Sequence, residues 1–151
     1  MAKDAKPFEV DMLHLQDVRI ISGSIDSPFE FDRTLIKSYH LDMQYDTGFN
    51  RDENMVKSDF TITVNTESSE KQTEASGSFQ FAFIFGVENL KELVVPESVE
   101  STNLTVDGKL SMALASVTYS TARGILLTRF KGTVLEEFIL PIIQPAKLLE
   151  L

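Results

Sequence analysis

Polar and apolar residues alternate along much of the first half of the chain, and a period of two is typical of β-strands with one buried face. The segment YHLDMQYD places four apolar side chains on one face: Tyr39, Leu41, Met43 and Tyr45. The segment VKSDFTITVN does the same with four others: Val56, Phe60, Ile62 and Val64. Both segments therefore predict strands of a sheet with one face in a core.

An earlier strand is predicted at FEVDM, where Phe8, Val10 and Met12 alternate with acidic residues. The alternation then slips at two places: Leu13 to Leu15, and Val18 to Ile20. A one-residue slip moves side chains to the opposite face of a strand, so the sequence predicts a bulge or bend there.

The segment FQFAFIFGV, residues 79–87, is apolar on both faces of a predicted strand. Four of the eleven phenylalanines fall at alternate positions: Phe79, Phe81, Phe83 and Phe85. The intervening Gln80, Ala82 and Ile84 make a face that is less apolar than the phenylalanine face. An uncovered segment of this kind is prone to aggregation, so both faces need cover. We expect the phenylalanine face to be the more buried one, and the other face to meet a subunit or an apolar polypeptide.

Three short polar segments separate these strands: residues 22–28, 47–54 and 66–74. Connections of this length predict hairpins. The strands are therefore expected to form a four-stranded antiparallel meander.

The period changes to about 3.6 between Asn103 and Gly132, which predicts one long helix. Asn103, Thr105 and Asp107 are candidate N-cap residues. One apolar stripe follows Met112, Ala115, Tyr119, Ala122, Leu126 and Phe130, and a second follows Leu110, Ala113, Leu114, Val117 and Ile125. Two stripes exceed the single apolar face of a surface helix, so this helix is expected to pack on the sheet and on a further surface.

The C-terminal region contains FILPIIQP, in which Pro141 and Pro145 exclude a helix interior and a central strand. It predicts an extended segment laid over the body, followed by one helical turn from Ala146 to Leu151. The predicted fold class is α+β, with a single domain over residues 1–151.

Charge and composition narrow the function. The net charge is −9, which argues against nucleic-acid binding, because phosphates require clustered Lys and Arg. The sequence contains no cysteine and no apolar run near the roughly 18 residues that cross a bilayer. Its first residues have no signal-peptide core, so we expect a cytoplasmic protein without membrane insertion.

Candidate catalytic chemistry is sparse. His14 and His40 are far apart in the sequence, and no phosphate-binding glycine motif or nucleophile motif is present. We therefore expect no enzymatic activity, no metal and no cofactor. The remaining feature is apolar surface in excess of what one sheet and one helix can bury. It predicts either burial in an oligomer or a groove for an apolar polypeptide.

Four segments together resemble the SecB family of export chaperones: FEVDMLHLQDV, FIFGVENL, YSTARGILLTRFKGT and FILPIIQP. The resemblance spans about residues 8 to 149. The positions that fit the family pattern are Tyr119, Arg123, Arg129, Gly132, Thr133 and Pro141, with Phe130 and Lys131 inserted within the Arg-Gly pair. The overall pattern is closer to divergent SecB-like proteins than to the typical proteobacterial chaperone.

This resemblance implies a four-stranded antiparallel sheet with a long helix, and dimers that pair into a tetramer partly through helices. It implies an ATP-independent holdase that keeps preproteins unfolded for the Sec translocase. It places one acid of the docking surface for the SecA motor at Asp17, whereas the second family acid is Ile21 here. Glu74 is a candidate for a nearby replacement.

The resemblance also implies a client groove lined by apolar residues of sheet, helix and crossing segment. The candidates are Phe79, Phe81, Phe83, Phe85, Leu126 and Ile139. For each of them, burial in the core or in a subunit interface is an open alternative. Two other functions also remain open, a dedicated chaperone for one partner such as an antitoxin-like client, and a carrier of small apolar molecules.

Overall fold

The computed structural model describes residues 7–151. Four long strands make the main sheet: β1 (Leu13–Asp26), β2 (Ile36–Asn50), β3 (Met55–Ser68) and β4 (Ser76–Val87). All neighbouring pairs are antiparallel. The strands extend into the segments that the sequence assigned to turns, so β1 runs to Asp26 and β2 to Asn50.

The spatial order of the sheet is β1-β4-β3-β2. Strands β2, β3 and β4 form the predicted meander, but β1 pairs with β4 and not with β2. The predicted hairpin between β1 and β2 is therefore wrong, since a longer connection carries the chain across the end of the sheet. Hairpins link β2, β3 and β4, and β1, which a longer connection joins to β2, lies beside β4. This is a Greek-key arrangement.

The first predicted strand begins later than expected. The segment at Val10–Met12 is a turn of 3₁₀ helix, and β1 starts at Leu13. Phe8 and Met12 are nonetheless buried, whereas Val10 is 71% exposed. The two predicted irregularities in β1 are confirmed, because its register with β4 shifts between Leu15 and Asp17 and again between Ile20 and Ser22.

The long helix, α2 (Gly108–Arg129), lies on one face of the sheet. Asp107 is its N-cap, with a carboxylate oxygen accepting a hydrogen bond from the Leu110 amide at 3.0 Å. Asn103 and Thr105, the other candidate caps, lie in or beside a short strand. Past the last helical turn, Gly132 has φ of 76°, a left-handed conformation that glycine adopts without strain.

The core lies between α2 and the sheet. Its largest side chains are aromatic, and the Phe60 ring meets Tyr119 of α2 at 6.0 Å between ring centroids. The buried face of the helix takes residues from both predicted stripes and adds Thr118, which was in neither: Leu110, Leu114, Ala115, Thr118, Tyr119, Ala122 and Leu126. Two small features close one end of this core, α1 (Leu90–Leu93) and the two-stranded pair of β5 (Val94–Pro96) with β6 (Leu104–Val106).

The C-terminal region matches the prediction. Residues 139–144 have no regular structure, and a single helical turn, α3 (Ala146–Leu149), follows. α3 packs against α2 and β2.

Candidate functional site

The phenylalanine row of β4 lies in the core. Phe81, Phe83 and Phe85 are 0% exposed and Phe79 is 6% exposed. Leu126 of α2 is buried with them at 2%. Of the alternatives open for these five side chains, the structure supports the core, and in this conformation they offer no surface to a client. The expectation that the phenylalanine face is the more buried face of β4 is confirmed.

Several exposed apolar side chains lie instead in the C-terminal segment, and others are spread over the rest of the surface. Ile142 is 88% exposed, Ile139 is 52% exposed and Leu151 is 57% exposed. Ile139 is the one predicted client-contact residue that lies at the surface. An open groove of about 790 Å³ is lined on its apolar side by Met43, Ile142, Ile143 and Leu151, with Gln144, Lys147 and Glu150 completing it. We call this the tail groove.

Two side chains of α2 hold the tail in place. The Tyr119 hydroxyl donates a hydrogen bond to the Pro141 carbonyl oxygen at 2.6 Å, and Arg123 Nε donates to the Leu140 carbonyl oxygen at 2.8 Å. Burial raises the pKa of Tyr119 above its ordinary value, so the hydroxyl keeps its proton at neutral pH. Leu140 is 2% exposed and anchors the same segment in the core.

Aromatic contacts anchor the beginning of the tail. The Phe138 ring lies 5.0 Å from Tyr39 of β2 and 6.2 Å from Phe130, measured between centroids. After this point the two prolines prevent the chain from forming a helix or pairing as a strand. Some apolar side chains of the segment therefore point to the core while others point outward, which is how the groove acquires exposed isoleucines.

The sheet face away from α2 is polar and acidic beside the tail groove. The register of β2 and β3 sets Asp46 directly opposite Asp59. Lys57 Nζ lies 3.5 Å from the Asp59 carboxylate and offsets part of this repulsion. A second open cavity of about 580 Å³ lies against these aspartates, and Met43 and Leu151 line both cavities. The two cavities therefore meet beside β2.

The structure does not bring Asp17 and Glu74 together. Asp17 pairs in register with Ile84, whereas Glu74 precedes Ser76 at the other end of β4. Eight strand positions at roughly 3.3 Å each separate the two ends by about 26 Å. The Asp17 carboxylate accepts a hydrogen bond from Arg19 Nε at 2.7 Å.

Glu74 braces the turn between β3 and β4. Its carboxylate accepts hydrogen bonds from the Ser68 hydroxyl at 2.7 Å, the Thr66 hydroxyl at 2.9 Å and the Ser68 amide at 3.0 Å. The bond from the Ser68 hydroxyl is the main reason that the pKa of Glu74 lies below its ordinary value. This carboxylate has a structural role in the turn.

The face of α2 that points away from the sheet is exposed and carries mostly small residues. Met112 is 38% exposed, and it is followed at four-residue intervals by exposed small side chains, Ser116, Ser120, Gly124 and Thr128. A side chain built at Gly124 would meet nothing within 4 Å. Of the two predicted apolar stripes this face carries only Met112, and the other members of both stripes are buried or half-buried.

Sequence reasoning missed the tail groove, because none of the residues that line it was named as a client contact. Ile139 lies in the same segment but does not line the groove, and Ile142, which does, directly follows Pro141 in FILPIIQP. An apolar residue next to proline in a segment without regular structure was the available signal.

Among residues 7–151, no helix is long and apolar enough to cross a membrane, and no three His, Cys, Asp or Glu side chains are grouped to hold a metal ion.

The architecture is that of a SecB-like chaperone fold. A solved structure with this fold is the Mycobacterium tuberculosis Rv1957 SecB-like chaperone in complex with a ChAD peptide from the Rv1956 HigA1 antitoxin. The two chains superpose with a TM-score of 0.62 over 89% of this chain and 92% of that one, at 13% sequence identity. No family model and no curated protein sequence matches this chain. The likeness therefore establishes a shared fold.

Proposed function

We propose that this protein is an ATP-independent holdase that binds extended apolar segments of non-native polypeptides in the tail groove. The observation that carries the proposal is the groove of about 790 Å³ with the exposed side chains of Ile142 and Leu151 in its lining, and exposed Ile139 three residues before Ile142 in the same segment. A contiguous exposed apolar patch on a folded protein is typical of a polypeptide-binding surface. The fold shared with a SecB-like chaperone supports the same function.

The groove suits loose, sequence-tolerant binding. It is open, and four of its seven lining residues are apolar, so short segments bind mainly by apolar burial, and the cost of ordering the client opposes that gain. Long chains would bind more tightly through several segments at once. By its resemblance to SecB, the protein would hold preproteins for Sec-dependent export and deliver them to SecA, with Asp17 and Glu74 as separate docking contacts.

Replacing both Ile139 and Ile142 with serine is expected to abolish most holdase activity while leaving the fold intact. Both side chains are largely exposed, so their loss removes contact area without opening a core cavity. The measurement is light scattering from a slow-folding client diluted from denaturant, with and without equimolar protein. The wild type should retard aggregation, and the double variant should need roughly tenfold more protein for the same effect, equivalent to about 1.4 kcal/mol of lost binding.

The matched control replaces Phe29 and Val99 with serine. These side chains are 104% and 103% exposed and do not line the groove. The control variant should protect the client as well as the wild type does. Equal loss in both variants would mean that general surface apolarity, and not the tail groove, binds the client. A wild-type protein that neither slows folding nor suppresses aggregation would refute the holdase.

A dedicated chaperone for one partner is the second candidate. It is favoured by the solved structure of the SecB-like neighbour, which holds a peptide from one antitoxin. Affinity purification of the full chain from its own host distinguishes the two. One stoichiometric partner would favour the dedicated chaperone, whereas a spread of unfolded precursors would favour the general holdase.

We also propose that the chains assemble through α2 as a dimer of dimers. The uncovered face along Met112, Ser116 and Gly124 would allow close approach of a second helix. Multi-angle light scattering is expected to give about four times the 17.0 kDa of one chain. Replacing Gly124 with arginine should lower that mass, while Ser69→Arg in the turn between β3 and β4 should not. A monomeric wild type would contradict the assembly.

A further inference from the structure

The two edges of the main sheet differ in their regularity. β1 and β2 are the outer strands. The register of β1 is interrupted twice, between Leu15 and Asp17 and between Ile20 and Ser22. β2 has one shift near its start and then pairs without interruption from Ser38 to Asn50. Bulges discourage further pairing at a sheet edge. The edge at β1 is therefore protected against pairing with another strand, whereas the edge at β2 is not.

The backbone of β2 has free hydrogen-bonding groups along this regular stretch. In an antiparallel pair, alternate residues of an edge strand point their N–H and C=O groups away from the partner. Within residues 7–151, no backbone hydrogen bond from outside the sheet reaches Ser38–Asn50; the bonds that flank it run from the Ser69 amide to the Leu35 carbonyl and from the Asn54 amide to the Arg51 carbonyl. This stretch also contains no proline and no lysine, two common protections of an edge.

The side chains of β2 continue the apolar surface of the tail groove. Met43 lines the groove itself, and the residues on the same face, Leu41 and Tyr45, are only half-buried. The two open cavities that meet at Met43 leave room beside the strand. A chain placed there could turn its apolar side chains toward Ile142 and Ile143.

We propose that β2 binds the client as an added strand of the sheet. This rests on the proposed function and specifies how the same site holds a polypeptide. The added strand would bond to the free backbone of β2 and place every second side chain in the tail groove. Backbone bonds are common to all sequences, so strand addition explains how one site accepts many clients. The occupant is an extended segment with apolar residues at alternate positions and no acidic residues between them.

Charge favours such a segment over a second copy of this chain. The face of β2 away from α2 carries exposed Asp42 and Asp46. A two-fold pairing of two β2 strands centred on Gln44 would set Asp42 of one copy opposite Asp46 of the other. Like charges in directly opposed positions destabilise a sheet, and each chain carries a net charge of −9. A neutral or basic client meets neither penalty.

The test uses amide hydrogen exchange of the full chain, resolved by NMR, with a synthetic peptide as the probe. The peptide alternates isoleucine and threonine, carries a lysine at each end and has about 12 residues, enough to pair with most of the regular stretch Ser38–Asn50 at roughly 3.3 Å per residue. With free peptide at about ten times its Kd, outward-facing amides of Ser38–Asn50 should exchange about tenfold more slowly, because only the unbound fraction exchanges. Amides on the free edge of β1 should not change.

Two N-methylated versions of the peptide separate backbone pairing from side-chain binding. One carries the methyl groups on the isoleucine nitrogens and the other on the threonine nitrogens. An added strand turns only one of these sets toward β2, so one version should lose binding, measured by fluorescence anisotropy, and the other should keep it. Equal affinity of both versions, or binding without protection of β2, would overturn strand addition and leave the holdase standing.

Two further outcomes have defined meanings. If the unmodified peptide does not bind, the tail groove is not a polypeptide site and the proposed function fails with the added strand. If β2 amides become protected without peptide as the protein concentration rises, a second copy occupies the edge and the client assignment is wrong.

Discussion

Replacing Phe81 with alanine is expected to lower the free energy of unfolding by about 3–5 kcal/mol. Phe81 is fully buried at the centre of the aromatic row, with ring centroids of Phe60, Phe79 and Phe83 at 6.4, 6.2 and 6.1 Å. Alanine would lose these contacts and leave a cavity between the sheet and α2. Urea unfolding followed by circular dichroism measures the change.

Phe29 supplies the control for that experiment. Its side chain is 104% exposed in the loop between β1 and β2, so Phe29→Ala should change stability by less than about 0.5 kcal/mol. A loss below about 1 kcal/mol for Phe81→Ala would fall well short of a fully buried phenylalanine. The phenylalanine row would then be accessible, and the core assignment would be wrong in favour of a client groove.

Replacing Leu148 with aspartate is expected to detach α3 and remove most client binding. Leu148 is 1% exposed and is the buried residue of α3. A carboxylate there would lack a partner, which costs several kcal/mol. A helix of one turn has little stability of its own, so it should leave the core and take Lys147, Glu150 and Leu151 away from the tail groove.

Leu149 is the matched control, since it is the next residue and is 43% exposed. Leu149→Asp should keep α3 in place. Limited trypsin digestion at Lys147 and anisotropy of a labelled client measure the two effects. Rapid cleavage with weak client binding is expected for the Leu148 variant alone. Unchanged client binding in a variant that is cleaved rapidly would show that α3 does not form the binding surface.

The elements of the sheet were largely predictable, but their order was not. Alternation along β2 and β3 identifies strands locally, and the slips in β1 locate both irregularities. Which strand β1 joins depends on its contacts with Phe81 and Phe83 of β4, and these are far away in the sequence. Periodicity contains no information on such pairing. The 3₁₀ turn at Val10–Met12 was missed because three alternating residues resemble a strand.

The sequence predicts that a long helix is present, but it predicts the ends of that helix less well. Asp107 was one of three candidate caps, and only the structure selects it. The strands β5 and β6 are three residues each, too short for a pattern to stand out from a loop. The sequence assigned the expected surplus of apolar surface largely to side chains that the structure buries, because the burial of β4 depends on where α2 lies. The exposed side chains of Ile139 and Ile142 in the C-terminal segment account for part of that surplus.

The way α2 holds the tail has an evolutionary consequence. Tyr119 and Arg123 donate hydrogen bonds to the carbonyl oxygens of Pro141 and Leu140 respectively, and every amino acid supplies such an oxygen. Residues at the anchored positions can therefore be exchanged over generations without breaking the attachment, provided that the core side chain remains apolar. The composition of the tail groove can therefore change while the scaffold persists. The sequence at these positions can then change faster than the fold does.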